Sequence, residues 1–267
     1  MIGTNLAITP KRFVPLGGAA IDTDAQAFIT AAGITNATQQ SAVNQLVLDL
    51  KSANIWTKMK AIYPIVGGSA STHKWNLKDP RDLDAAFRLT FTTGWTHSSN
   101  GMLPNGTSAY ANTFLNPSIA LALNSANISY YSLTLINGSY DMGSQIVGAA
   151  LTLDIRDTGA SYVRVNTTGA GTESTISSAD GKGFYQANRN SATIQSIIKN
   201  NTINNFSVNS VLRPNANIFI GAINNPVIFY GNKQCAFASI ADGLTDVEAS
   251  NLYTAVQNYN TTLGRQV

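Results

Sequence analysis

The sequence predicts a mainly β chain, with two antiparallel sheets stacked as a sandwich, a helical N-terminal arm and a C-terminal covering helix. Three observations predict it. Short alternating or wholly apolar runs recur from Lys60 to Ile240, at intervals of roughly 8–12 residues with turn residues between them. Capping boxes near the two ends open segments with apolar residues at helical spacing. Of the 267 residues 44% are hydrophobic and only 12% charged, enough to fill a core and too apolar for wholesale disorder.

Residues 1–21 contain Pro10, Pro15 and Gly17-Gly18 without a period, and read as an extended arm. Thr23-Asp-Ala-Gln26 is a capping box for a short helix that stops at Gly33, where glycine supplies the left-handed C′ conformation. A second helix starts near Asn36 to Thr38, with Val43, Leu46, Val47 and Leu50 on one stripe. Together residues 1–58 form the expected arm, and 59–267 the sandwich with its helix at 245–263.

Lys60 to Val66 is the expected first strand, ended by Gly67-Gly68. Ala85, Phe87, Leu89 and Phe91 alternate as a half-buried strand does. Gly94 to Gly101 reads as a polar loop, Tyr110 to Leu115 and Ser118 to Leu123 as strands, and Ile128 to Ile136 as another. Val147, Ala149, Leu151, Leu153 and Ile155 share one parity, and after the turn Asp157-Thr158-Gly159 the chain returns antiparallel through Tyr162 to Val165. Thr167 to Gly183, rich in Gly, Ser and Thr, reads as a loop.

The segment from Phe184 to Leu244 organises the rest. Thr193 to Ile198 runs into Lys199-Asn200-Asn201-Thr202, where Asn accepts the left-handed conformation of a tight hairpin. Phe206 to Val208, Ile218 to Ile220, Val227 to Tyr230 and Cys235 to Ile240 follow as strands. Thr245-Asp-Val-Glu248 is the second capping box, and Leu252, Ala255, Val256, Tyr259 and Leu263 make the stripe of the closing helix.

The same segment carries a resemblance. Asn188-Arg189, Ile197-Ile-Lys-Asn200, Ile218-Phe-Ile-Gly-Ala222, Phe229-Tyr-Gly-Asn-Lys-Gln-Cys-Ala-Phe-Ala-Ser-Ile240 and Gly243-Leu-Thr-Asp-Val-Glu248 resemble the concanavalin A-like, laminin-G-like jelly roll, and within it the modules of tailed-bacteriophage structural proteins. Trp56 to Gly68 and Asn76 to Asp84 extend the likeness toward the N-terminus, so that it spans residues 25–267. It implies a jelly-roll sandwich on a virion, assembled in the bacterial cytoplasm as a fibre, spike or decoration subunit. The implied partners are other virion proteins and further copies of the chain, with a bacterial surface glycan in the alternative reading as a lectin-like receptor-recognition module.

Composition and motifs exclude several other classes. Net charge is +3 with Lys and Arg scattered, so the basic stripe of a nucleic-acid binder is missing. No apolar run is long enough to insert into a membrane, and Met1 to Ala20 has no secretory signal. The single cysteine, Cys235, lies in an expected strand and reads as a small buried hydrophobe. No nucleophile elbow, phosphate loop or dinucleotide fingerprint occurs, and no cofactor is expected. Asp79, Asp82 and Asp84 offer oxygen ligands for calcium, but without the spacing of a calcium loop, so no metal is assigned.

Glycoside hydrolysis needs two carboxylates flanking the bond. The chain has only two glutamates, Glu173 in the Gly/Ser loop and Glu248 in the capping box, and Asp154 and Asp157 stand at a strand end. The sequence therefore leads to the expectation of no enzyme. Candidate binding residues are aromatic side chains beside polar loop residues: Trp95, His97, Asn100 and Tyr110 in one group, Tyr185 and Arg189 with Phe184 and Asn188 in another.

Overall fold

The computed structural model describes residues 20–138, 140–169, 171–224 and 229–267. The expected extended arm falls almost wholly outside these residues, as do Val227 and Ile228 of one expected strand. The helices are α1 (Thr23–Ala32), α2 (Ala37–Ser52), α3 (Ala70–His73), α4 (Pro117–Ala120) and α5 (Asp246–Thr262), with a 3-10 turn at Asp84–Ala86. The strands are β1 (Met59–Tyr63), β2 (Thr90–Phe91), β3 (Trp95–Ser98), β4 (Gly101–Pro104), β5 (Ala111–Asn112), β6 (Ala126–Ser132), β7 (Met142–Ile146), β8 (Ala149–Asp157) and β9 (Ala160–Thr167). They continue as β10 (Ser174–Ser177), β11 (Gly183–Arg189), β12 (Ile194–Lys199), β13 (Thr202–Ser207), β14 (Phe219–Ile220), β15 (Ala222–Asn224), β16 (Phe229–Tyr230) and β17 (Cys235–Ala241).

Two sheets stack as expected. The first runs β13-β12-β11-β6-β17-β4-β3, with β1 also on β17; the second runs β10-β9-β8-β7-β14-β5-β2, with β15 bridging β7 and β16. Among the described strands the pairings are antiparallel apart from β15 on β7. Alternation along each strand sends one set of side chains between the sheets. Ile128 and Tyr130 of β6, Leu151, Leu153 and Ile155 of β8, Val163 and Val165 of β9, and Ile240 of β17 meet there.

The other face of the first sheet is buried too. Tyr131, Phe184 and Phe237 point to that side and pack with Phe28 of α1, Val43, Leu46 and Leu50 of α2, and Leu252, Val256 and Tyr259 of α5. This is why β6, β11 and β17 are buried at every position. The helices of the expected arm thus share a core with the closing helix and the first sheet. The outer face of the second sheet has no such cover from the described helices.

Local chemistry explains the helix ends. Asp22, one residue before the expected cap, accepts from the Asp24 amide to start α1, and Gly33 ends it at φ 66°. Asn36 caps α2. Thr245 and Glu248 form the reciprocal capping box of α5.

Several expectations are corrected. Gly94 to Gly101 is not a plain loop but most of the β3–β4 hairpin. Ser118 to Leu123 is not a strand: Asn116 accepts from the Ser118 amide and Pro117 occupies the first turn, so the chain coils into α4. The expected strand over residues 85–91 shrinks to β2, because the chain makes a 3-10 turn and then puts Phe87 at φ 59°. Val147 is 95% exposed in the β7–β8 turn rather than part of a strand face. The Gly/Ser/Thr-rich stretch contains β10, which pairs with β9.

Candidate functional site

The sequence-derived candidates separate in space. Tyr185 and Arg189 are fully buried, so neither can meet a ligand at the surface. The Tyr185 hydroxyl donates to the Asp180 carbonyl at 3.0 Å. Arg189 spends its guanidinium on backbone carbonyls of Val165, Ser191, Ala192 and Val208, at 2.7–3.2 Å, which ties β9 to the start of β12. Burial without a carboxylate partner pulls its pKa down to about 10. Both are structural, and their placement in a binding site is corrected.

Trp95, His97 and Asn100 lie on or beside the β3–β4 hairpin. Trp95 and His97 have ring centroids 6.2 Å apart, with Phe91 edge-on to both. His97 also meets the buried His73, Nδ1 to Nδ1 at 2.9 Å. The Gly68 amide donates to His73 Nε2, which assigns the His73 proton to Nδ1 and makes His97 Nδ1 the acceptor. Burial, aided by the neighbouring His97, drives the His73 pKa down to about 3. Asn100 is exposed in the hairpin turn, its amide donating to Ser98 Oγ. Tyr110 belongs elsewhere, stacked on Phe219 with centroids 4.3 Å apart.

A different group converges on the outer face of the second sheet. Leu153 and Ile155 point inward from β8, so Thr152 and Asp154 point out; on β9, Val163 and Val165 point inward, so Tyr162 and Arg164 point out. Asp154 stands opposite Tyr162 in the β8–β9 register. A register shift between Asp154 and Asp157 brings a second carboxylate to the same end. Glu173 arrives from the residue before β10, and Tyr140 from the residues before β7. These six, Tyr140, Asp154, Asp157, Tyr162, Arg164 and Glu173, line a cavity of about 180 Å³ whose walls are almost wholly polar.

Its electrostatics are uneven. Arg164 Nη1 donates to the Tyr140 hydroxyl at 3.1 Å, and Nη2 lies 3.4 Å from Glu173 Oε2. Glu173 is held below the usual carboxylate range, first by its own backbone amide and further by Arg164 and the Gly171 amide. Asp154 is 3% exposed. Burial, then the charge of Asp141, pushes its carboxyl up to about 8, which favours the protonated form. Asp141 beneath it is fully buried against Lys233 at 3.2 Å and accepts from the Ile155 amide. Among the described residues, Asp154 Oδ1 and Arg164 Nε are buried without a hydrogen-bond partner. Such atoms are costly unless something fills the space beside them. Tyr140 lies against Phe229, 42% exposed, with centroids 5.6 Å apart, which adds an aromatic rim.

The cavity was missed because its carboxylates looked isolated. The available signal was the shared outward parity of Thr152 and Asp154 with Tyr162 and Arg164 on two successive strands. No three His, Cys, Asp or Glu among the described residues are set to hold a metal. Asp79 faces Arg81, and Asp82 and Asp84 face Arg88.

No family model and no curated protein matches the chain. Among solved structures it is similar to a mutant Trypanosoma rangeli sialidase displaying trans-sialidase activity: 11% identity, TM-score 0.53, over 81% of this chain and 39% of that one. A Trypanosoma rangeli sialidase in complex with 2,3-difluoro-KDN aligns at 12% identity and TM-score 0.52, over 80% of this chain and 39% of that one. The binding domain of botulinum neurotoxin DC in complex with rat synaptotagmin II aligns at 11% identity and TM-score 0.52, over 76% and 52% of the two chains. The chain therefore spans about two-fifths to one-half of these proteins. Such identities carry the fold alone, a concanavalin-like jelly-roll sandwich, and contain nothing specific to phage.

The expectation of no enzyme is withdrawn. Sialidases, which are enzymes, are among the structures that share the fold. Asp154, Asp157 and Glu173 also line one cavity.

Proposed function

We propose that this chain is a carbohydrate-binding β-sandwich module and that the cavity on the outer face of β8 and β9 receives the sugar. One observation carries the reading: a polar cavity beside two tyrosines holds a buried carboxyl oxygen and a buried guanidinium nitrogen without partners. Sugar hydroxyls both donate and accept, so one ring can satisfy Asp154 and Arg164 while its apolar face meets Tyr140 or Tyr162. The neighbours' ligands, a sugar acid in one and a protein in the other, leave both classes open. At about 180 Å³ the cavity is below the roughly 300–1,000 Å³ of drug-sized sites, which suits a single ring rather than a protein segment.

The test is a glycan array followed by calorimetry on the best ligand. Tyr162→Ala and Arg164→Ala should each weaken binding at least about tenfold, the scale of one stacking or charged hydrogen-bond contact. Trp95→Ala should leave it unchanged. Loss in Trp95→Ala alone would move the site to the β3–β4 hairpin. The setting on a phage particle is supported by the sequence resemblance, and mass spectrometry of purified particles tests it.

A further inference from the structure

We propose that the same cavity cleaves glycosidic bonds, with Asp154 donating a proton to the leaving oxygen and Glu173 taking one from the attacking water; this rests on the sugar-binding reading above. Asp154 comes from β8 and Glu173 from the residue before β10, and both reach one cavity together with Arg164 and two tyrosines. Hydrolysis at a sugar needs one carboxyl that carries its proton and one that does not.

The surroundings of these two push them apart in that sense. Asp154 sits in a nearly dry position above Asp141, whose side chain is fully buried, and two neighbouring carboxylates resist being ionised together. Its Oδ1 has no partner among the described residues, and the residue lines the cavity. Glu173 lies at the edge, accepts the Gly171 amide at 2.8 Å and faces Arg164, which together favour its charged form. Environments that separate two carboxyls in this way assign the acid and the base. Arg164 also holds the Tyr140 hydroxyl, so one guanidinium positions both the base and an aromatic wall.

The step balances without a co-reactant other than water. The bond from the anomeric carbon to the glycosidic oxygen breaks, and its electron pair stays on the oxygen, which takes the Asp154 proton. The water oxygen bonds to the anomeric carbon while Glu173 accepts a water proton. A hemiacetal and an alcohol leave, and the proton on Glu173 returns to Asp154 through solvent.

The experiment uses the full chain and methylumbelliferyl glycosides of glucose, galactose, N-acetylglucosamine, rhamnose and sialic acid, with binding of the matching methyl glycosides measured by calorimetry. Expected is fluorophore release from a glycoside that binds, falling as pH rises through the titration of Asp154. Asp154→Asn and Glu173→Gln should each lower the rate at saturating glycoside by about a hundredfold or more. Asparagine has the shape of the protonated acid, so folding is retained, and circular dichroism checks it. Binding without release overturns hydrolysis and leaves the sugar-binding reading intact. Absence of both binding and release overturns both. Release that survives Asp154→Asn overturns the assignment of the acid.

Discussion

The two outer faces of the sandwich use buried polar groups in opposite ways. On the first sheet, Gln186 donates to the Ala249 carbonyl, and Asn188 exchanges bonds with the Leu244 backbone while both side chains accept from the Asn127 side-chain amide, whose own Oδ1 has no partner among the described residues. Ser129 and Ser239 meet at 2.6 Å, and Arg265 bonds carbonyls of Pro64, Ile65 and Ala236. The bonds of Gln186, Asn188 and Arg265 hold the segment around α5 to the first sheet and its neighbouring chain, and the serine pair joins β6 to β17. On the second sheet, Asp154 Oδ1 and Arg164 Nε are buried and unpartnered beside a cavity. The comparison teaches that burial alone does not mark structural polarity. A satisfied group fixes the fold, and an unsatisfied one beside open space awaits a ligand.

The largest expected effect lies on the covered face. Phe237 is fully buried, edge-on to Phe184 and Tyr259. Phe237→Ala should destabilise the chain by about 3–5 kcal/mol in urea unfolding, through lost transfer energy and a cavity. Sugar affinity of the folded fraction should stay unchanged. A large loss of affinity at a temperature where the variant is folded would show that the two faces are not independent.

Next come the two arginines, which look alike in sequence and differ in satisfaction. Arg189→Ala leaves four carbonyl contacts unmade and should cost roughly 2–4 kcal/mol, since each buried acceptor left unpaired carries its own penalty. Arg164→Ala should cost less than about 1 kcal/mol and instead abolish tight sugar binding. Equal stability losses in the two variants would erase the distinction between the faces.

The sequence made the covered face more legible than the open one, for physical reasons. Helix ends are local: Gly33, Asn36 and the Thr245–Glu248 box need only neighbours a few residues away. The stripe Val43, Leu46, Val47, Leu50 also states its own period. Residues 94–101 misled because Trp95 is ordered by distant chain, its ring lying over Gly221, where an added Cβ would sit 2.6 Å from it. Residues 85–91 had the right alternation, but Phe87 adopts φ 59° with its carbonyl held by the Tyr63 hydroxyl. The cavity needed β10, whose pairing with β9 a run of Gly, Ser and Thr does not announce. Tyr185 and Arg189 drew attention as polar aromatic neighbours, yet their partners were carbonyls of the core.

The pH dependence sharpens the comparison further. Asp154 titrates at about 8 in the folded chain and at about 3.9 when unfolded. Between those values the folded chain holds a proton that the unfolded chain has lost, so this group's contribution falls as pH rises from about 4 to about 8 and is level above. His73 works the other way. Its folded value of about 3 lies below the unfolded value near 6.5, so its contribution is complete above pH 6.5 and is lost on acidification. The difference in melting temperature between Asp154→Asn and the parent should therefore grow from pH 4 to pH 8 and then hold. A difference independent of pH would mean that Asp154 is ionised in the native cavity.

The smallest expected effect tests the covered face at its edge. Thr245 Oγ1 accepts from the Glu248 amide while Glu248 receives the Thr245 amide, and Lys58 reaches Glu248 at 2.6 Å. Thr245→Ala removes one half of this box and should cost about 1 kcal/mol. Sugar binding should not change, because α5 packs on the sheet opposite the cavity. Tyr162→Ala is the mirror experiment, expected to stay within about 0.5 kcal/mol in stability while binding drops. Crossed results, with the cap affecting binding and the tyrosine only stability, would place the ligand on the helical side.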